Sequence, residues 1–96
     1  MAHLITLAAE QTIYQAPALH QQLAAALREH AQLEIDLSQI EEIDSAGAQV
    51  LLWLHQAAPQ QPCQLTLRHA SPALVDFIRL LGLQALQSAL EAADES

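Results

Sequence analysis

The sequence predicts one α/β domain in which short strands and amphipathic helices follow one another along 96 residues. Segments with an apolar residue at every second position alternate with segments whose apolar residues recur at helical intervals. A chain of this length is too short to build a second core. We therefore expect a single domain over residues 1–96, with a mixed, at least partly parallel central sheet of about four strands and about four helices.

The first part of the chain is predicted to contain strands on either side of one helix. His3 to Leu7 has the alternation of a strand, and Gln11 to Tyr14 is expected to extend it or to pair with it after a turn. The first helix begins at Pro17, because proline suits the first turn, where its missing N–H costs nothing. Leu33 to Leu37 alternates as the next strand. The apolar face of the first helix comprises Leu19, Leu23, Ala26, Leu27 and His30.

The middle of the chain is predicted to be a loop, a helix and a strand. Ser38 to Ile43 is expected to be the loop, and the second helix runs from Ser45 to about Ala58. Cys63 to His69 then alternates in the manner of a strand. The order of these elements favours a sheet whose strands are connected by helices.

The last part of the chain carries clear helix boundaries. Ser71 is a suitable N-cap and Pro72 a suitable first residue for a third helix. Gly82 is expected to end that helix in the left-handed conformation. A fourth helix follows over residues 83–96, and its acidic end is expected to be frayed. The apolar face of the third helix comprises Leu74, Val75, Ile78 and Leu81.

The charge balance excludes several kinds of partner. Three arginines and no lysine stand against eleven acidic residues, which gives a formal charge of −8. Such a surface repels phosphate backbones and anionic lipids, so we expect no nucleic-acid partner and no membrane insertion. The single cysteine, Cys63, is expected to be a buried hydrophobe in a reducing compartment. Because Met1 to Leu7 lacks the features of a signal peptide, the sequence predicts a cytoplasmic location.

The sequence offers little support for catalysis or metal binding. The two glycines, Gly47 and Gly82, cannot form a glycine-rich nucleotide loop. The five histidines are not spaced as metal ligands, and one cysteine cannot complete a zinc site. A nucleophilic Ser45 would need a nearby base and the GxSxG motif, and the sequence supplies neither. We therefore expect no cofactor, no metal and no enzymatic activity.

The segment from Glu41 to Leu54, EEIDSAGAQVLLWL, is the strongest candidate for a functional feature. Ser45 is predicted to be the N-cap of the second helix, and Asp44 adds favourable charge beside the helix N-terminus. A complete capping box is absent, since Ala48 stands where Glu or Gln would be expected. Capping therefore explains the Asp-Ser pair and leaves the rest of the helix to be explained.

The second helix carries apolar residues on two faces. The face opposite Ser45 is expected to pack on the sheet and comprises Gly47, Val50, Leu51, Leu54 and Ala58. The outward face, which Trp53 flanks, comprises Gln49, Leu52 and Gln56. Either Leu52 and Trp53 form an exposed contact surface, or the C-terminal helix covers them through Leu86 and Leu90.

Three segments, taken in order, resemble STAS domains, the fold of bacterial anti-sigma factor antagonists. Asp44, Ser45 and Gly47 match the Asp-Ser(or Thr)-x-Gly motif with which that family opens a helix after a strand and a short loop. Thr12 to Leu27 is similar to the family's turn and first helix. Leu65 to Leu83 is similar to its strand, Ser-Pro turn and following helix. The resemblance covers nearly the whole chain.

The resemblance implies a protein-binding module for partner switching. Ser45 would be a phosphoacceptor, modified by a partner kinase and restored by a phosphatase, with Asp44 and Gly47 supporting the switch. The unmodified protein would bind a kinase-like anti-sigma factor or a signalling histidine kinase, and the phosphoprotein would release it. The expected contact surface comprises Gln49, Leu52, Trp53, Thr12 and Tyr14.

The family resemblance also leaves a second function open. STAS relatives serve lipid-transport permeases, and this chain would then be a constitutive accessory subunit of a lipid ABC transporter. In that case Ser45 would be a structural or binding residue and would never be phosphorylated.

Overall fold

The structure, a computed structural model, describes residues 2–94, without the side chains of residues 93 and 94. Within these residues lie four helices: α1 (Ala16–Glu29), α2 (Ser45–Ala57), α3 (Pro72–Leu81) and α4 (Gln84–Asp94). The strands are β1 (His3–Thr6), β2 (Glu10–Gln11), β3 (Gln32–Asp36), β4 (Glu42–Ile43) and β5 (Gln64–Arg68). The predicted α/β class with four helices is confirmed.

A three-stranded parallel sheet organises the fold in the order β1-β3-β5. The central strand, β3, places Ile35 opposite Ile5 on one side and Leu67 on the other. Strands β2 and β4 form a separate parallel pair. The sheet therefore differs from the expected mixed sheet of about four strands, because every strand pairing among residues 2–94 is parallel. Helical crossovers account for this direction, since each connection between neighbouring sheet strands contains a helix.

The hydrophobic core is formed by one face of the sheet and the four helices. On β3, Leu33 and Ile35 point into the core, whereas Glu34 and Asp36 lie on the opposite face, as the two-residue period requires. Cys63 is also buried, as predicted, and burial raises the pKa of its thiol. Fully buried residues from the helices include Leu23, Leu54, Leu74, Ile78, Leu86 and Leu90.

The segment predicted to extend the first strand forms a turn instead. Strand β2 ends at Gln11, and the Gln15 side-chain Oε1 accepts hydrogen bonds from Thr12 N (2.9 Å) and Thr12 Oγ1 (2.7 Å). This closed turn leads directly into α1 and prevents a longer strand. Strand β2 pairs with β4, which lies inside the segment predicted to be a loop.

Helix α3 has the predicted ends. The hydroxyl of Ser71 accepts a hydrogen bond from Leu74 N at 3.2 Å, and Gly82 adopts the left-handed conformation with φ 73°. Leu81, predicted to be on the apolar face, is 40% exposed, because it lies in the last turn beside the reversal of the chain at Gly82. The fourth helix extends to Asp94, and its predicted frayed acidic end also includes residues 95–96, which lie outside the described part of the chain.

Two further features complete the scaffold. His30 is the C-cap of α1, and its ring stacks on that of His3 with centroids 3.9 Å apart and planes 4° from parallel. No helix within residues 2–94 has both the length and the apolar composition needed to cross a bilayer.

Replacement of Ser71 by alanine should destabilise the fold. Ser71 Oγ donates to the Ile40 carbonyl at 2.7 Å and caps α3, and both hydrogen bonds are buried. Loss of the hydroxyl leaves a buried carbonyl and a buried N–H without a partner, so we expect Ser71→Ala to cost about 1–3 kcal/mol in urea denaturation. The control, Ser88→Ala at an exposed position of α4, should stay within about 0.5 kcal/mol of the parent. Equal unfolding midpoints for the two variants would contradict the bridging role.

Candidate functional site

The predicted motif lies where the loops emerge from the C-terminal ends of the parallel strands. This end of a parallel sheet is where open α/β folds place their binding sites. The β2–β4 pair joins two of the loops there, with Gln11 opposite Ile43. The amides of Glu41 and Glu42 both donate to the carbonyl of Ala9, at 2.9 and 3.0 Å. Residues 9–13 and 41–47 are thereby held together as one unit.

Asp44, and not Ser45, is the N-cap of α2. The Asp44 backbone is extended (φ −118°, ψ −174°), and its Oδ1 accepts hydrogen bonds from Ala46 N at 2.9 Å and Gly47 N at 3.1 Å. Ser45 already lies inside the helix as its first residue. The prediction of a Ser45 cap is therefore wrong by one position, because only the extended residue can turn its side chain back over the first helical turn.

The second carboxylate oxygen of Asp44 connects α2 to the loop before α1. Asp44 Oδ2 accepts a hydrogen bond from Ile13 N at 2.9 Å. Hydrogen bonds from the amides of Gly47, Ile13 and Ala46 lower the pKa of Asp44 from its ordinary value. Because the folded-state pKa is depressed, the stabilisation is present at neutral pH and is lost as the pH falls through that lowered value.

Gly47 is required by a close backbone approach. A β-carbon at this position would overlap the carbonyl oxygen of Gln11 and lie 2.9 Å from its carbonyl carbon. The same stretch of β2 is bound to the start of α2 by a hydrogen bond from Asp44 N to Gln11 O at 3.4 Å. The glycine of the motif therefore lets the loop before α1 rest directly on α2.

Ser45 is exposed at the start of α2, next to the Asp44 carboxylate. Acidic residues dominate this end of the molecule, since the β2–β4 pair places Glu10 opposite Glu42. Two of the three arginines pair elsewhere: Arg68 with Glu34 at 3.3 Å, and Arg79 with Asp76 and Glu91. The Ser45 hydroxyl is therefore accessible in a negatively charged environment.

Leu52 and Trp53 are partly buried against the core, so they are less exposed than predicted, and their role in a contact surface stays a prediction. The Trp53 ring lies against His20 of α1, with centroids 4.3 Å apart. The alternative, in which Leu86 and Leu90 cover these residues, stays a prediction, and both leucines belong to the core against which Leu52 and Trp53 pack. Gln49 is exposed, as predicted.

The exposed apolar residues of the site lie in the turn before α1. Tyr14 is 87% exposed, in agreement with its predicted place on the surface, and Ile13 is 63% exposed. Thr12 is less accessible than expected, because it is half-buried and its hydroxyl donates to Gln15. Sequence reasoning missed Ile13 because it placed the residue in a strand. Thr12-Ile13-Tyr14-Gln15 matches the Ser/Thr-x-x-Glu/Gln capping box, and that signal predicts a turn.

The exposed residues of the site offer a binding surface. No group of three or more His, Cys, Asp or Glu side chains that could hold a metal ion occurs within residues 2–94. The carboxylate that lies nearest to Ser45 in the chain, Asp44, already accepts three backbone hydrogen bonds. The arrangement therefore suits recognition by another molecule at Ile13, Tyr14, Ser45 and Gln49.

Replacement of Gly47 by alanine should disrupt this unit. The added methyl group overlaps backbone that is fixed by the β2–β4 pair, so we expect Gly47→Ala to cost about 2–3 kcal/mol in urea denaturation. The control is Gly82→Ala, where a β-carbon meets no atom within 4 Å and only the left-handed backbone is strained. That control should lose about 1 kcal/mol. An equal or smaller loss for Gly47→Ala would show that the close approach is not fixed.

Comparison with known proteins identifies the fold and the family. A family model described as "Mlab, STAS domain" matches residues 2–91. No curated protein shows a significant sequence match to the chain. Among solved structures, the anti-sigma factor antagonist SpoIIAA in its unphosphorylated form is similar in fold, with a TM-score of 0.68 and 15% sequence identity over 88% of this chain and 76% of that one. Because the family model matches nearly the whole chain, this protein belongs to the STAS domain family.

Proposed function

We propose that this STAS domain is a non-enzymatic protein-binding module whose attachment to a partner is controlled at Ser45. The docking edge comprises Ile13, Tyr14, Asp44, Ser45 and Gln49. The observation that carries the proposal is the Asp44 bridge, which fixes the exposed Ile13–Tyr14 turn beside the exposed hydroxyl of Ser45.

The docking edge has the properties of an interface anchor. Tyr14 and Ile13 expose apolar surface, and Tyr is enriched among the residues that dominate binding energy. The hydrogen bond from Ile13 N to Asp44 restricts the turn before any partner arrives, which lowers the entropy lost on binding. The surrounding carboxylates suit a partner surface that carries positive charge.

Phosphorylation of Ser45 would change the charge of the docking edge more than its fold. The phosphate adds a charge of about −1.5 to −2 at neutral pH. The amides of Ala46 and Gly47 already donate to Asp44, so these two donors are occupied and the new charge faces the partner. The unmodified protein binds and the phosphoprotein dissociates. The partner is a kinase-like anti-sigma factor or a signalling histidine kinase, and a phosphatase restores the hydroxyl.

A second candidate is a constitutive accessory subunit of a lipid-transport ABC permease. It uses the same docking edge, with Ser45 as a permanent contact residue. The occupation of the Ala46 and Gly47 amides by Asp44 is consistent with this candidate as well, since the N-terminus of α2 is capped without a phosphate. The description of the matching family model, "Mlab, STAS domain", names no anti-sigma factor, and so does not favour the first candidate over this one.

The two candidates differ in their response to charge at residue 45. We expect Ser45→Ala to retain the partner in co-purification from the native host and Ser45→Asp to lose at least 90% of it, because only the aspartate adds charge to the docking edge. The control, Ser88→Asp, adds the same charge at an exposed position of α4 and should bind as the parent does. The measurement is quantitative mass spectrometry of the co-purified protein, together with the mass of the peptide that contains Ser45.

The outcomes separate the candidates. A kinase or anti-sigma factor that is lost from Ser45→Asp supports switching, and a phosphate on Ser45 of the parent supports it further. Equal retention by all three variants, with a permease or its ATPase as the partner, contradicts switching and supports the accessory subunit. Equal retention by Tyr14→Ala would contradict both candidates, since both place the partner on the docking edge.

A further inference from the structure

Strand β5 leaves one of its edges without a neighbouring strand in the described part of the chain. It is the last strand in the order β1-β3-β5. Gln64 N donates to Ala31 O at 2.8 Å, and Arg68 O accepts from Leu37 N at 2.9 Å, so the even-numbered residues of β5 direct their backbone groups towards β3. Because these groups alternate along a strand, the N–H and C=O of Leu65 and Leu67 point to the open edge.

A groove runs along this open edge between β5 and α4. It has a volume of 540 Å³ and is lined by consecutive residues of β5, by His55 of α2 and by two small residues of α4, Ala89 and Ala92. A second cavity of 270 Å³ shares His55 and Leu65 and continues the groove to Cys63, at the start of the strand. The five residues of β5 span about 16 Å at about 3.3 Å per residue, so the open edge is long enough to pair with an extended peptide of about five residues.

The charge of the groove differs from that of the whole chain. The chain has eleven acidic residues and three arginines. Among the described residues, those that line the two cavities include Arg68 and His55 and no acidic side chain. Arg68 is 41% exposed, and its pair with Glu34 uses Nη1 of a guanidinium that carries five N–H donors. The Arg68 guanidinium lies on the sheet face of Glu34 and Asp36, opposite to that of Leu65 and Leu67. A strand paired with β5 would therefore place alternate side chains against the apolar wall of the groove and beside Arg68, whose remaining N–H donors suit a carboxylate.

From this geometry we infer that the groove binds an extended segment of a partner protein as an additional strand of the sheet. Its backbone pairs with the N–H and C=O groups of Leu65 and Leu67. Every second side chain of the segment is apolar and faces Leu65 and Ala89, and an intervening acidic side chain lies on the other face of the sheet, near Arg68. Open strand edges pair readily with other chains, which is why natural proteins cover most of them.

This site is independent of the proposed function at Ser45. None of the residues of the docking edge lines either cavity, and the groove belongs to a different strand and helix. A partner could therefore hold the domain at the groove whether or not Ser45 is modified. If the proposal for one site is wrong, the proposal for the other is unaffected, because the peptide-binding experiment measures binding at the groove alone.

The test uses the whole chain and a phage-displayed library of random eight-residue peptides, followed by synthesis of the strongest binder. We expect the selected peptides to alternate apolar residues and to include Asp or Glu. Ala92→Trp fills the groove from the exposed side of α4 and should weaken binding at least tenfold. The matched control, Ala85→Trp, adds the same side chain at an exposed position of α4 outside the groove and should change binding less than twofold.

Amide hydrogen exchange supplies the structural readout. In the free chain, Leu65 and Leu67 should exchange faster than Thr66 and Arg68, and the bound peptide should slow the exchange of Leu65 and Leu67 at least tenfold. Failure of the library to yield a binder would overturn the inference. So would equal affinity for the two tryptophan variants, or protection at the docking edge instead of β5. Unchanged affinity after the acidic residue of the peptide is replaced by Gln would overturn the carboxylate preference.

Discussion

The carboxylate of Asp44 makes the interaction on which the candidate site depends. One oxygen accepts hydrogen bonds from the amides of Ala46 and Gly47. The other accepts a hydrogen bond from the amide of Ile13, which is 31 residues away in the chain. Capping a helix requires only the first of these contacts. The second joins α2 to the turn before α1, and so the same side chain begins a helix and positions an exposed loop.

The neighbouring residues make this bridge possible. The parallel β2–β4 pair holds the loop before α1 beside the N-terminus of α2. Gly47 leaves space for the Gln11 carbonyl against the first turn of α2. The residues of the Asp-Ser-x-Gly motif have different roles: Asp44 connects the helix to the loop, Gly47 permits the close approach of the Gln11 carbonyl, and Ser45 is exposed. A motif whose aspartate and glycine both serve the scaffold leaves its serine available for recognition or modification.

The sequence predicted the regular elements well and the contacts between them less well. The helices and main strands follow from apolar periodicity and from local caps such as Ser71 and Gly82, which depend on nearby residues only. The N-cap of α2 was placed one residue late, because the cap is decided by backbone conformation and not by residue type. The contact of Trp53 with α1 depends on tertiary packing. The exposure of Ile13 depends on the turn before α1. The β2–β4 pair was missed, since two-residue strands have no measurable period.

The Asp44 carboxylate holds both the turn before α1 and the N-terminus of α2. Nuclear magnetic resonance can test it by following the amide protons of Ile13, Ala46 and Gly47 from pH 7 to pH 2. All three should shift in a single transition whose midpoint matches that of the Asp44 carboxyl group and lies below the ordinary aspartate value of about 3.9. An Ile13 amide that does not follow the transition, or a midpoint at the ordinary value, would contradict the bridge.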